Sequence, residues 1–137
     1  MDTQIPIQEL IPQRPPFVLV DRFVFEDEET LYSLFRVPAD HVLVEDGVLT
    51  EGGLVENIAQ TAAARAGFLC RRDGLPVPQG YIGAVQQLVI EDLPAVADEI
   101  RTAITIKHQV FNATQVQGTV WLGDRVLGTC DMKIFIV

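Results

Sequence analysis

At 137 residues the chain is the size of about one domain, and its composition, 48% hydrophobic and 21% charged, is that of a folded globular protein rather than a disordered one. Ten basic against nineteen acidic side chains give a formal charge of −9, which repels nucleic acid rather than attracting it. The apolar stretches are strand-sized and Met1-Asp2-Thr3-Gln4 opens no signal-like run, so the expectation is a cytoplasmic protein without a membrane span.

Pro6, Pro12 and the Pro15-Pro16 pair leave room for one short helical turn around Ile7–Ile11 before the chain is forced extended. The apolar run Phe17–Phe25 predicts a strand, the acidic run Glu26-Asp27-Glu28-Glu29 a hairpin turn, and the alternation over Thr30–Val37 a second strand. From Pro38 to Gly53 no period survives, which predicts an irregular loop. Thr50 is the expected N-cap of one central helix near residues 53–71, whose apolar positions Leu54, Val55, Ile58, Ala59, Ala62, Ala63 and Ala66 recur at helical spacing. Its alanines predict close packing against a sheet rather than a binding surface. After the Pro76 and Pro78 linker, strands are expected over 80–91, 99–110, 113–123 and 126–136. No helical crossovers recur between these strands, so a parallel βαβ sheet is excluded and a single α+β domain spanning 1–137 is expected.

Candidate chemistry gathers at the start of the helix. Gly52 and Gly53 either make a tight helix entry or present backbone N–H groups that polarise a carbonyl. Glu56 sits among apolar neighbours and can carry a proton, and Gln60 lies one turn later on the same face, placed to orient it or to bind a substrate oxygen. His41, on the loop beside Asp40, is a candidate base, whereas His108 shares the parity of Ile104 and Ile106 and is expected to be buried and structural. Cys70 and Cys130 are far apart without CxxC spacing, which argues against a disulfide framework or a cysteine metal site. Ser33 has no nucleophile motif around it. Arg65, Arg71 and Arg72, with Arg14, Arg22 or Arg36, either form a local basic patch for an acidic carrier or are scattered solubility charges.

The run Ile11-Pro12-Gln13-Arg14-Pro15-Pro16-Phe17-Val18-Leu19-Val20-Asp21-Arg22 resembles the opening Leu-Pro-His-Arg-x-Pro-Phe-Leu-Leu-Val-Asp-Arg of the hotdog-fold 3-hydroxyacyl-[acyl-carrier-protein] dehydratases. Leu54-Val55-Glu56-Asn57-Ile58-Ala59-Gln60 is similar to that family's Leu-x-Glu-x-x-Ala-Gln helix segment, and the likeness covers nearly the whole chain. The resemblance implies a hotdog fold, a curved antiparallel sheet around a central helix. It further implies a homodimer with an acyl tunnel at the interface, leaving a higher oligomer open, an acyl-carrier protein or coenzyme A thioester as substrate, and neither organic cofactor nor metal. Within it, His41 and Glu56 are the expected catalytic pair, and Gly52, Gly53 and Gln60 the expected substrate-binding or oxyanion residues. The chain departs from the family where the loop should read His-Phe-Pro-Gly: here it is His41-Val42-Leu43-Val44, and counting back from Glu56 without a gap puts the family histidine at Val42.

The leading expectation is therefore a divergent dehydratase that eliminates water from a 3-hydroxyacyl thioester. Two alternatives stand beside it. In a hotdog thioesterase, Glu56 or Asp46 would activate water; in a non-catalytic acyl- or carrier-binding dimer, catalysis was lost with the loop.

Overall fold

The computed structural model describes residues 5–27 and 30–136; Glu28 and Glu29 of the expected acidic turn lie outside the described residues. A single 3-10 turn, Ile7–Glu9, precedes strands β1 (Arg22–Asp27) and β2 (Thr30–Arg36), the two-residue strands β3 (Val44–Glu45) and β4 (Val48–Leu49), and helix α1 (Glu51–Arg72). Four long strands follow: β5 (Gly80–Ile90), β6 (Glu99–Val110), β7 (Ala113–Leu122) and β8 (Arg125–Ile136). Six of the strands form one antiparallel sheet in the order β1-β2-β6-β7-β8-β5, and α1 packs across it. This is the hotdog arrangement, one central helix held by a long sheet.

Thr50 caps the helix as expected, accepting the Gly53 N–H. The core forms where Leu54 and Ile58 meet Ile100, Val116, Val120, Leu127 and Met132 of the sheet, all at most 1% exposed. Removing each such side chain from water contributes about 1.5–3 kcal/mol. Two glycines set how closely the layers approach: a Cβ at Gly118 would collide with Ile58, and one at Gly67 with the Leu10 carbonyl. Behind the helix, Leu10, Ile11, Phe23, Leu31 and Ala64 make a second apolar cluster.

Three sequence-based expectations are corrected. The first strand begins at Arg22 rather than Phe17, because residues 17–19 spend hydrogen bonds on helix side chains instead of a ladder. The segment between β2 and α1 contains a hairpin: Asp46 and Gly47 both have positive φ, 53° and 76°, and close a two-residue turn between β3 and β4. His108 is exposed, not buried. A bulge between Ile106 and His108 breaks the alternation, and the strand's last residues run out into solvent.

Candidate active site

The N-terminal half of α1 is polar on the side that faces the extended segment Phe17–Leu19. Gln60, fully buried, donates from Nε2 to the Phe17 carbonyl at 2.7 Å, and its Oε1 accepts the Leu19 N–H at 2.7 Å. Asn57, also fully buried, donates from Nδ2 to the Leu19 carbonyl at 2.7 Å, while its Oδ1 accepts from Thr102 Oγ1 at 2.6 Å. Thr61 Oγ1 donates to the Asn57 carbonyl at 2.8 Å and lies 2.6 Å from Ser33 Oγ. The segment thus works as a strap whose backbone groups are satisfied by helix side chains. A buried polar network is tolerated because its members are paired.

Glu56 is fixed by the same network. Gln60 Nε2 also donates to Glu56 Oε1, at 3.1 Å, across one helical turn. Gln60 is fully buried, and its amide orients both the carboxylate and the strap.

His41 also binds the strap. Its Nδ1 accepts the Leu43 N–H at 3.0 Å, which leaves the neutral ring's proton on Nε2, and that N–H donates to the Val18 carbonyl at 3.0 Å. His41 thus takes the Val18 carbonyl, while Gln60 and Asn57 take the Phe17 and Leu19 backbone groups on either side of it. The two glycines also part company. The Gly53 N–H is consumed by the Thr50 cap and a Cβ there would press into Leu49, whereas Gly52 is exposed, with no neighbour to restrict it, one turn before Glu56.

From Glu56 an apolar groove of about 550 Å³ runs along the C-terminal half of the helix. Ala59, Ala62, Ala63 and Ala66 form its helix wall, with Ile106, Val116 and Ile134 opposite. The alanine stripe, expected to be a packing device only, therefore lines a cavity as well: methyl side chains end too soon to reach the far strands. The helix wall from Glu56 to Cys70 is about 21 Å long at about 1.5 Å per residue, so the groove suits an extended chain. Cys70 lies half-buried at its far end, while Cys130 is in the core, where burial pushes its thiol up to about 11. The arginines are partly spent elsewhere: Arg71 pairs with Glu9 at 2.8 Å, Arg36 with Glu99 at 3.6 Å, and Arg14 donates to the Ile11 and Gln13 carbonyls. Arg14 and Arg71 do share one shallow cleft, which adjoins the groove at Pro12. Among the described residues no group of three or more His, Cys, Asp or Glu side chains is placed to hold a metal ion.

The sequence reading missed Asn57 and the strap. Asn57 stands at a variable position of the dehydratase-like helix segment, and its partners are 38 and 45 residues away along the chain.

The model of the ApeP dehydratase family matches residues 5–135. The chain belongs to the ApeP-like dehydratase family. Among solved structures, it superposes on a chain of the dehydratase heterocomplex ApeI:P from Xenorhabdus doucetiae with a TM-score of 0.88 at 16% identity, covering 98% of this chain and 93% of that one. An uncharacterized protein of Pyrococcus horikoshii matches at TM-score 0.69 and 13% identity, over 98% and 95% of the two chains. A protein described as a probable thioesterase from Bartonella henselae matches at 0.61 and 14%, over 77% and 88%. Likenesses at these identities show the hotdog fold alone. No curated protein matches the sequence. Among the described residues, no helix of this family member is long and apolar enough to cross a membrane.

Proposed function

We propose that the protein is a subunit of a cytoplasmic dehydratase that removes water from a 3-hydroxyacyl thioester, with Glu56 as the proton donor. The observation that carries this reading is a carboxylate held by Gln60 at the head of an apolar, chain-length groove. The acyl tail lies along Ala62, Ala63 and Ala66, and the thioester carbonyl meets the Gly52 N–H at the positive end of the helix. A base removes the C2 proton, the C2–H electron pair becomes the C2–C3 π bond, and the C3–O bond breaks. Glu56 gives its proton to the departing hydroxyl, which leaves as water, and regains one through solvent from the base.

The edge strand β5 supports a two-chain assembly. Tyr81, Ile82, Val85, Leu88 and Val89 are 36–56% exposed on a strand whose outer backbone edge has no strand beside it among the described residues. A second hotdog chain covers that edge in this reading. The heterocomplex of the structurally similar ApeI:P favours a non-identical chain over the homodimer expected from sequence. The thioester arrives on an acyl-carrier protein or coenzyme A, and Arg65 in the groove lining, with Arg14 and Arg71 in the adjoining cleft, are the positive features near it for its phosphate.

The test is conversion of 3-hydroxyacyl thioesters to the conjugated enoyl product by the protein purified with the subunit it assembles with. Glu56→Gln is expected to lower the rate by about 10²-fold or more with acyl binding retained. Free thiol without enoyl product would replace elimination by thioester hydrolysis, and an undiminished Glu56→Gln rate would remove Glu56 from the chemistry.

A further inference from the structure

The buried polar side chains around the helix are paired: Ser33, Asn57, Gln60, Thr61 and Thr102 all have partners between 2.6 and 3.1 Å. One buried side-chain atom among the described residues is not. Gln13 Oε1 is shielded from solvent and meets no hydrogen-bond donor, although its residue is only half-buried and lines the groove together with Glu56. A buried acceptor left unpaired costs free energy that its neighbours all avoid, so a donor from outside the chain would relieve it.

The backbone fixes where along the groove this amide sits. The Leu10 carbonyl packs on Gly67 and the Phe17 carbonyl is bonded by Gln60, so the run between them passes along two turns of the helix toward Glu56. Arg14 donates from Nη1 to the Ile11 and Gln13 carbonyls, both at 2.8 Å, and the Phe17 N–H donates to the Arg14 carbonyl at 3.0 Å. That bond closes a turn whose ends lie within about 7 Å, which sets Gln13 near Phe17 and hence near the Gln60 amide that holds Glu56. The last torsion of a glutamine is broad and two-fold, so the amide turns toward the groove at little cost.

We infer that Gln13 selects and orients the C3 hydroxyl of the substrate, whose O–H it accepts on Oε1. The inference rests on the dehydratase reading and deepens it. With its own hydrogen given to Gln13, the hydroxyl oxygen turns a lone pair toward Glu56. When the C3–O bond breaks, its electron pair stays on oxygen, the Glu56 proton adds there, and the hydrogen shared with Gln13 leaves with it in the same water molecule. An oxygen receiving a second proton is the stronger donor, so this bond tightens in the transition state and favours elimination as well as binding. A saturated acyl chain of equal length leaves Gln13 unpaired and is discriminated against.

The test is calorimetry on the protein purified with the subunit it assembles with. The probes are a 3-hydroxyacyl amide of N-acetylethylenediamine, whose C2 proton is too weakly acidic for turnover, and the saturated amide of equal length. Wild type is expected to bind the hydroxylated probe about tenfold more tightly. Gln13→Met, of similar length without an acceptor, should bring the two within about twofold, and Gln13→His, which keeps a ring nitrogen acceptor, should restore part of the preference. With the 3-hydroxyacyl thioester, Gln13→Met should lower kcat about tenfold and raise KM less. Because it removes an unpaired acceptor, Gln13→Met should also raise the melting midpoint of the free protein by about 2 °C. A hydroxyl preference that survives Gln13→Met, or a lowered midpoint in that variant, would overturn the inference. Equal binding of both probes by a wild type that forms enoyl product through Glu56 would overturn it and leave the dehydratase reading standing. A Gln13-dependent hydroxyl preference without enoyl product from the thioester would do the reverse, and binding of neither probe would sink both.

Discussion

The two halves of the central helix solve opposite problems. From Gly53 to Thr61 the helix is buried on nearly every side, and its polar residues Asn57, Gln60 and Thr61 are bonded to a strap, a strand and one another. From Ala62 to Cys70 it presents methyl groups to a groove that no other side chain of the described residues fills. The first half holds Glu56 still, and the second leaves the space that the proposed acyl substrate would fill. Rigidity at the reacting end and vacancy along the tail are what a site for a long, featureless substrate requires.

The contrast can be broken from either side. Asn57→Ala carries the largest expected cost: it strands the buried Leu19 carbonyl and the Thr102 hydroxyl, so denaturant unfolding should show a loss of about 3 kcal/mol at unchanged m-value. Ala66→Phe, in the other half, should leave unfolding within about 1 kcal/mol of wild type yet weaken acyl-thioester binding about tenfold, measured by calorimetry, because the ring occupies the groove. Equal effects of these two substitutions on stability would show that the halves are not distinct. The smallest effects belong to the cysteines. Iodoacetamide at pH 8 should label Cys70 and be slowed by a bound acyl thioester, while Cys130, 1% exposed with its thiol pushed up to about 11, should stay unmodified. The same shift has a linkage consequence. The unfolded thiol releases its proton near its ordinary value of 9.0 and the folded one near about 11. The Cys130 contribution is therefore fully present below about pH 9 and lost as pH rises toward 11, which Cys130→Ala should flatten in an alkaline titration of stability.

Much of this was legible before any coordinates. Thr50 as cap and the Glu56 to Gln60 spacing are local features, determined by helix geometry over a few residues. The hairpin at Asp46-Gly47 is equally local, but its Asp-Gly signal stands in a stretch without periodicity, where no flanking alternation marks two-residue strands. Phe17–Leu19 misled because an apolar, β-branched run looks the same whether a strand or a helix side chain takes its backbone bonds. His108 misled because parity counting assumes an unbroken ladder, and one bulge reverses it. His41 was found as a residue, but the direction of its ring depends on Val18, 23 positions away.

By itself, then, the sequence determined the α+β class, the single central helix with its cap, and the carboxylate one turn before a glutamine, since each follows from short-range sterics and side-chain periodicity. Only the tertiary structure decided that the alanine stripe lines a groove, that Asn57 and Gln60 bind a strap, and that His41 faces inward. Those facts depend on which distant backbone groups fill the space around the helix and which leave it empty.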